Sequence, residues 1–310
     1  MIKKIFIAII RYCFPKELLD KEDFLTCFRY NGYLGRGLGF LIVVYLTISI
    51  VILAPIRSTT EPLVPRDIKV YSSPEYPEGY TTISNFISEM ERLKSRLVVD
   101  RIGYGLIIDN RRHEQEAIIP MMRKFLTVCR ESICRAPVST GANNNIIKAD
   151  NNIRLNYNNP ALFKIYLGST ISSLKDYREE LKNGQASFYI NSNNFIELLM
   201  SFQVLLETAA SESTNVSFFD EDRAFYRMRS TLTYVYYFMK YFQSEAGFQE
   251  KLEKKLGSGT YQKTLDNLKF AINSEPFIIF EWLGAYSRMT SSTRQIASDI
   301  DKMIKQLDKG

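Results

Sequence analysis

The sequence predicts a mainly α-helical protein: a single transmembrane helix near the N-terminus, followed by an extracytoplasmic helical bundle with at most a short β element. Three observations lead there. Residues 38–56, LGFLIVVYLTISIVILAPI, pass nineteen positions without a charge. From about residue 81 onward, apolar side chains recur at steps of three and four, the mark of helices with one buried face. The segments with an extended look are short: QASFYI, six residues long, and a stretch within DRIGYGLIID, whose two glycines break the first helix.

An apolar run of about 18 residues or more can cross roughly 30 Å of hydrocarbon as a helix. Only Tyr45, Thr47 and Ser49 interrupt this one. Before it, residues 1–37 carry seven basic side chains (Lys3, Lys4, Arg11, Lys16, Lys21, Arg29, Arg36) against four acids (Glu17, Asp20, Glu22, Asp23). A basic excess in a short flank keeps that flank in the cytoplasm, so the N-terminus is expected inside and the rest of the chain outside. The leader is too long for a cleavable signal peptide, and no small-x-small site follows the apolar run. Its opening, MIKKIFIAIIRYCF, alternates basic and bulky apolar residues and suits either a helix lying on the membrane surface or a short buried helix. GRGLG at Gly35–Gly39 lacks the Lys-Ser/Thr of a phosphate loop and reads as a bend.

Outside the membrane, residues 57–80 are expected to form a stalk, because Pro62, Pro65, Pro74 and Pro77 stiffen a stretch with little apolar periodicity. Residues 81–310 form the predicted helical domain. Ile83, Phe86, Met90, Leu93 and Leu97 define its first helix. A second is expected over about 112–135, with Ile118, Met122, Phe125 and Cys129 on one stripe and Pro120 as a kink or a start. Residues 136–160, with eight asparagines between 143 and 159, are expected to be an irregular loop. A helix over about 161–182 ends at Gly184, which fits the left-handed residue of a helix stop. NSNN then supplies capping side chains for a helix with Phe195, Leu198, Phe202, Leu205 and Ala209 inside. Phe225, Met228, Leu232, Val235, Met239 and Phe242 mark the next, and Phe280, Leu283, Ile296, Ile300, Met303 and Leu307 run through one or two more to the end.

Composition narrows function. The exported part holds 33 of the 40 basic and 30 of the 34 acidic residues, a balance that excludes nucleic acid as a serious partner. The single histidine, His113, prevents two-His zinc sites within one chain and reads as a solvated residue at a helix start. Cys129 and Cys134, the exported cysteines, are five apart; on an α-helix they would point about 140° apart, beyond disulfide reach. No cofactor or metal is expected. The tyrosines of TYVYYFMKYF fit either burial on two helix faces or a partner surface. Asp220, Glu221 and Asp222 could in principle serve glycan hydrolysis, but acids before a helix stabilise its N-terminus and need no other role.

Several stretches together resemble a family of bacterial inner-membrane proteins, domain-of-unknown-function family 2333. The likeness falls on Asp109, Asn110, Gln115, Arg123 and Phe125 in DNRRHEQEAIIPMMRKF. It continues on Tyr177, Leu181, Gly184, Phe188, Tyr189 and Asn194 in YREELKNGQASFYINSNNF, and on Phe225, Tyr226 and Arg229 in AFYRMR. It covers the chain from about residue 100 to the end, and departs at Ser230 and Thr233. The resemblance implies a single N-terminal span joined to a mostly helical periplasmic domain, and implies no activity.

The expected function is therefore that of a bitopic inner-membrane protein of a Gram-negative bacterium, whose periplasmic domain binds or scaffolds other envelope proteins. A subunit of a secretion or pilus apparatus and a glycan hydrolase are the alternatives. The polar candidates for a binding surface are Asp109, Asn110, Gln115, Arg123, Tyr189, Asn194, Tyr226 and Arg229, with helix capping and interhelix hydrogen bonding as their other reading.

Overall fold

The structure, a computed structural model, describes residues 68–71, 76–97, 110–135, 141–155, 159–213, 221–245, 248, 252, 254–257, 259–273 and 285–309. The chain divides into two compact units, Met1–Glu61 and Pro62–Gly310, and all described residues belong to the second. The predicted leader and transmembrane helix lie outside the described residues; among those described, no helix is long and apolar enough to cross a membrane.

The second unit is mainly α-helical. Its helices are α1 (Tyr80–Arg96), α2 (Asn110–Val128), α3 (Asn144–Arg154), α4 (Pro160–Lys182), α5 (Ser192–Glu212), α6 (Glu221–Gln243), the single turn α7 (Lys254–Leu256), α8 (Thr260–Ile272) and α9 (Ala285–Lys309). Among the described residues the β content is one isolated bridge between Arg135 and Ala142.

Helix α6 is the hub, packing against α1, α2, α5, α8 and α9. With neighbours on several sides it needs more than one apolar face, and its aromatics supply them. Phe238 lies 4.6 Å from Phe125 of α2 and 5.5 Å from Phe202 of α5, while Phe242 lies 5.5 Å from Phe195. Phe86 of α1 closes the cluster 4.6 Å from Phe125. Each such ring pair adds about 0.5–1.5 kcal/mol beyond area burial.

The tyrosines of α6 are core residues too: Tyr234, Tyr237 and Tyr241 are buried. Tyr234 donates to the buried carboxylate of Glu89 on α1 (3.3 Å), whose other oxygen is 3.9 Å from Arg92. Burial, with the charge of Glu89 adding to it, pushes the Tyr234 and Tyr241 hydroxyls well above their ordinary range. These phenols stay neutral at any physiological pH, as packed hydroxyls and not as acids.

The local signals at two helix boundaries are obeyed. Gly184 takes φ 69°, and Gly184 N–H and Gln185 N–H donate to Leu181 O and Glu180 O, the paired bonds of a Schellman stop. Asn191 accepts from Asn194 N–H at 2.8 Å and starts α5.

Three expectations are corrected. Residues 144–154 form a helix, because Ile146, Ala149, Asp150 and Ile153 sit on one buried face and Asn143 caps it by accepting from Asn145 and Ile146 N–H; asparagine-rich composition hid a short helical period. Pro120 does not mark the first turn of α2, which runs through it from Asn110 to Val128. The end of the proline-rich stretch is held against α1: Asn85 accepts from Lys69 N–H (3.0 Å) and donates to Lys69 O (2.8 Å), and Tyr71 N–H donates to Thr81. Helix α8 was not anticipated, although Tyr261, Leu265, Leu268 and Ile272 are spaced for it and buried.

The start of α1 is closed from a distance. Its N-cap residue, Gly79, has φ 90° and offers no side chain; a Cβ there would fall 2.1 Å from the Phe188 ring, so only glycine fits. The capping acceptor is Glu245, just past α6, which takes Gly79 N–H at 2.9 Å and Thr82 N–H at 2.6 Å. A carboxylate at a helix N-terminus is favoured by the helix dipole. Burial nevertheless raises its pKa above the ordinary value, against the lowering effect of the Thr82 and Gly79 hydrogen bonds.

A raised folded-state pKa means the native state holds more protons than the unfolded state from the ordinary carboxylate value upward. Stability from this group is therefore greatest in acid and falls as pH rises through that window. Urea unfolding at pH 4 to 7 should show this slope in the wild type and lose it in Glu245→Gln. Glu245→Ala should cost about 2–3 kcal/mol at neutral pH by leaving two buried N–H groups unbonded.

Candidate functional site at the π-turn

At its C-terminus α2 widens. Residues Cys129–Ile133 form a π-helical turn, with Cys134 N–H donating to Cys129 O at 2.8 Å. An i to i+5 bond sets residue i+5 one turn above residue i. That places Cys134 over Cys129, which the α-helical spacing had kept apart. Both thiols are free and buried. Burial drives the Cys129 thiol well above its usual range, and the neighbouring Cys134 and Asp150 push the same way. Tyr177 of α4, whose hydroxyl donates to Ser187 O at 2.8 Å, is shifted upward by the same burial.

An ion-pair network seals the other side of the turn. Asp150 of α3 has no exposure. Its carboxylate meets Arg130 Nη1 at 2.7 Å and Arg154 at 3.0 Å, and Arg154 also donates to Thr127 Oγ1 at 2.6 Å. Arg123 Nε donates to Ile153 O at 3.0 Å, meeting a carbonyl in the last turn of α3. Across the turn, Ser132 Oγ bonds Glu197 of α5, and Tyr189 N–H donates to Ile133 O at 2.8 Å. Asn194 Nδ2 reaches Tyr189 O at 3.0 Å and Ser132 O at 3.4 Å. At the start of α3, Asn143 and Asn145 both donate to Glu180 of α4, at 2.7 and 2.8 Å.

Three of the residues singled out from sequence, Arg123, Tyr189 and Asn194, therefore border this junction. The others lie elsewhere. Arg229 Nε donates to Ile272 O at 3.2 Å and holds the end of α8. Tyr226 is half-buried against Phe225 on α6, and Gln115 is buried in α2. Asn110 opens α2, while Asp109 lies outside the described residues.

Asp150 and Arg154 were missed because their segment reads as a loop by composition, and Arg130, on the expected helix, was missed with them because its partner Asp150 was hidden. The usable signal was Asp150 and Arg154 at i, i+4 beside Ile146 and Ile153. Chemically, the junction offers a closed ion-pair network and two buried thiols, and burial suppresses the nucleophilic power of Cys129. Among the described residues no group of three or more His, Cys, Asp or Glu converges as a metal set.

Comparison with known protein families, curated proteins and solved structures returned no match. The resemblance noted from sequence therefore rests on the short stretches that carry it.

The buried charge here is Asp150; both arginines keep contact with water. Replacing both Arg130 and Arg154 with methionine, which leaves the carboxylate unpaired, should cost about 3–5 kcal/mol, more than Asp150→Ala at about 1–3 kcal/mol. Urea titrations of the two variants give that order directly. In a chain with Cys13 and Cys27 replaced by serine, a thiol reagent should modify Cys129 and Cys134 only at the rate of unfolding; fast labelling of the native protein would refute the buried pair.

Proposed function

We propose that this chain is a membrane-anchored bacterial envelope protein whose helical domain works by holding other proteins, as a binding or scaffolding component of envelope machinery. Its N-terminus is cytoplasmic and its domain periplasmic in this reading. The supporting observation is the use to which the domain puts its polar side chains. Arg123, Asn194, Arg229 and Glu245 tie the end of one element to the body of another, which suits a rigid body presented to partners.

The charge-free run at 38–56 and the basic flank before it support the anchor and its direction. Glycan hydrolysis would need two carboxylates facing one cleft. Three of the buried acids, Glu89, Asp150 and Glu245, are instead bonded to partners within the helix packing. The proposal stands without the family resemblance.

Crosslinking in cells, followed by purification of the tagged protein from membranes and mass spectrometry, should return a defined, stoichiometric set of envelope proteins. Recovery of the protein alone would contradict the scaffold reading, and its appearance in the soluble fraction would contradict the anchor.

A further inference from the structure

Helices α1 and α4 pack side by side, and between them lies an open recess of about 470 Å3. Three lysines line it: Lys94 from α1, and Lys164 and Lys175 from α4. Glu91, also on its wall, pairs with Lys175 at 2.6 Å. Among the described residues neither Lys94 nor Lys164 has a carboxylate within ion-pair distance, so the recess carries two uncompensated positive charges on one concave surface. Concave, low-dielectric walls concentrate such a field and raise the local concentration of anions.

Gly168, in the interior of α4, also lines the recess. Glycine weakens a helix interior relative to alanine, so its presence there needs a local reason. A Cβ at Gly168 would come within 2.7 Å of Lys94 Nζ. Only the bare backbone lets that ammonium rest against α4 inside the recess; a methyl group would turn the flexible lysine tip outward. Ser95 and Ser172 line the same recess.

We propose that this recess is a binding site for a phosphate-bearing ligand. Lysine ammonium groups act as point charges toward phosphate, and a doubly charged phosphate matches the two unpaired lysines. The volume falls in the range of small-molecule sites, about 300–1,000 Å3. The phosphate can belong to a soluble phosphate ester or to the headgroup of an anionic lipid. The site is independent of the scaffold reading, since partner capture and anion binding are measured separately.

The test is calorimetric titration of the full chain, purified in a non-ionic detergent, with inorganic pyrophosphate and separately with water-soluble dihexanoyl phosphatidic acid. Saturable binding that weakens with added salt is expected. Binding of pyrophosphate points to a soluble ligand, and binding of the short-chain lipid alone points to a headgroup. Replacing both Lys94 and Lys164 with glutamine should weaken binding by about tenfold or more, an effect of the size charge-assisted contacts carry. Gly168→Ala should also weaken it while leaving the melting temperature equal or higher, because alanine is the better helix former; a folding defect is thereby separated from loss of the site. Absence of binding to either probe, or binding that the lysine and glycine variants leave unchanged, overturns the proposal.

Discussion

A helix that ends inside a bundle leaves backbone donors and acceptors where water cannot satisfy them, and this domain is organised by how those ends are closed. The start of α1 is closed by Glu245 from beyond α6. The last turn of α3 is met by Arg123 of α2, and the end of α8 by Arg229 of α6. Asn194 of α5 reaches Ser132 in the π-turn. In each case one element's terminus depends on another's side chain. An element closed in this way cannot fray without breaking a tertiary contact, so local helix stability and global packing become one quantity.

The hub position of α6 follows from the same economy of space. A helix with five neighbours must bury more than one face, and the second half of α6 answers with Tyr234, Tyr237, Phe238, Tyr241 and Phe242, all buried. The tyrosine hydroxyls then need partners. Tyr234 finds Glu89, and Tyr261 of α8 donates to Met239 O at 2.6 Å. These polar contacts inside an aromatic core fix the rotation of α1 and α8 about their own axes against α6.

The helical architecture was legible because apolar period and stop signals are local. The stripe from Phe225 to Phe242, Gly184 after α4 and Asn191 before α5 each declare an element without reference to the rest of the chain. What was hidden depends on distant partners. The helix α3 is short, and its asparagines resemble a loop until Asn143 is seen as its cap and Asn145 as a donor to Glu180. The π-turn at Cys129–Ile133 has no sequence mark of its own, and it reverses the expectation that Cys129 and Cys134 face apart. Arg123, Asn194 and Arg229 were legible as important polar residues, but not as closures of other elements, because the carbonyls they meet are 30, 62 and 43 positions away in sequence. Asp150 was invisible for the same reason as α3.

Closure of helix ends by side chains from distant elements ties the elements of the domain together. The measurement that bears most directly on this is native-state hydrogen exchange of the domain across a series of low urea concentrations. The amide of Thr82 at the start of α1 and the amides of α3 should exchange with the same opening free energy and urea dependence as those of the central helix α6. Exchange of Thr82 or α3 at a much lower, urea-independent free energy would mean that these ends fray locally, and would contradict closure by Glu245, Arg123 and Asp150 as the basis of the fold.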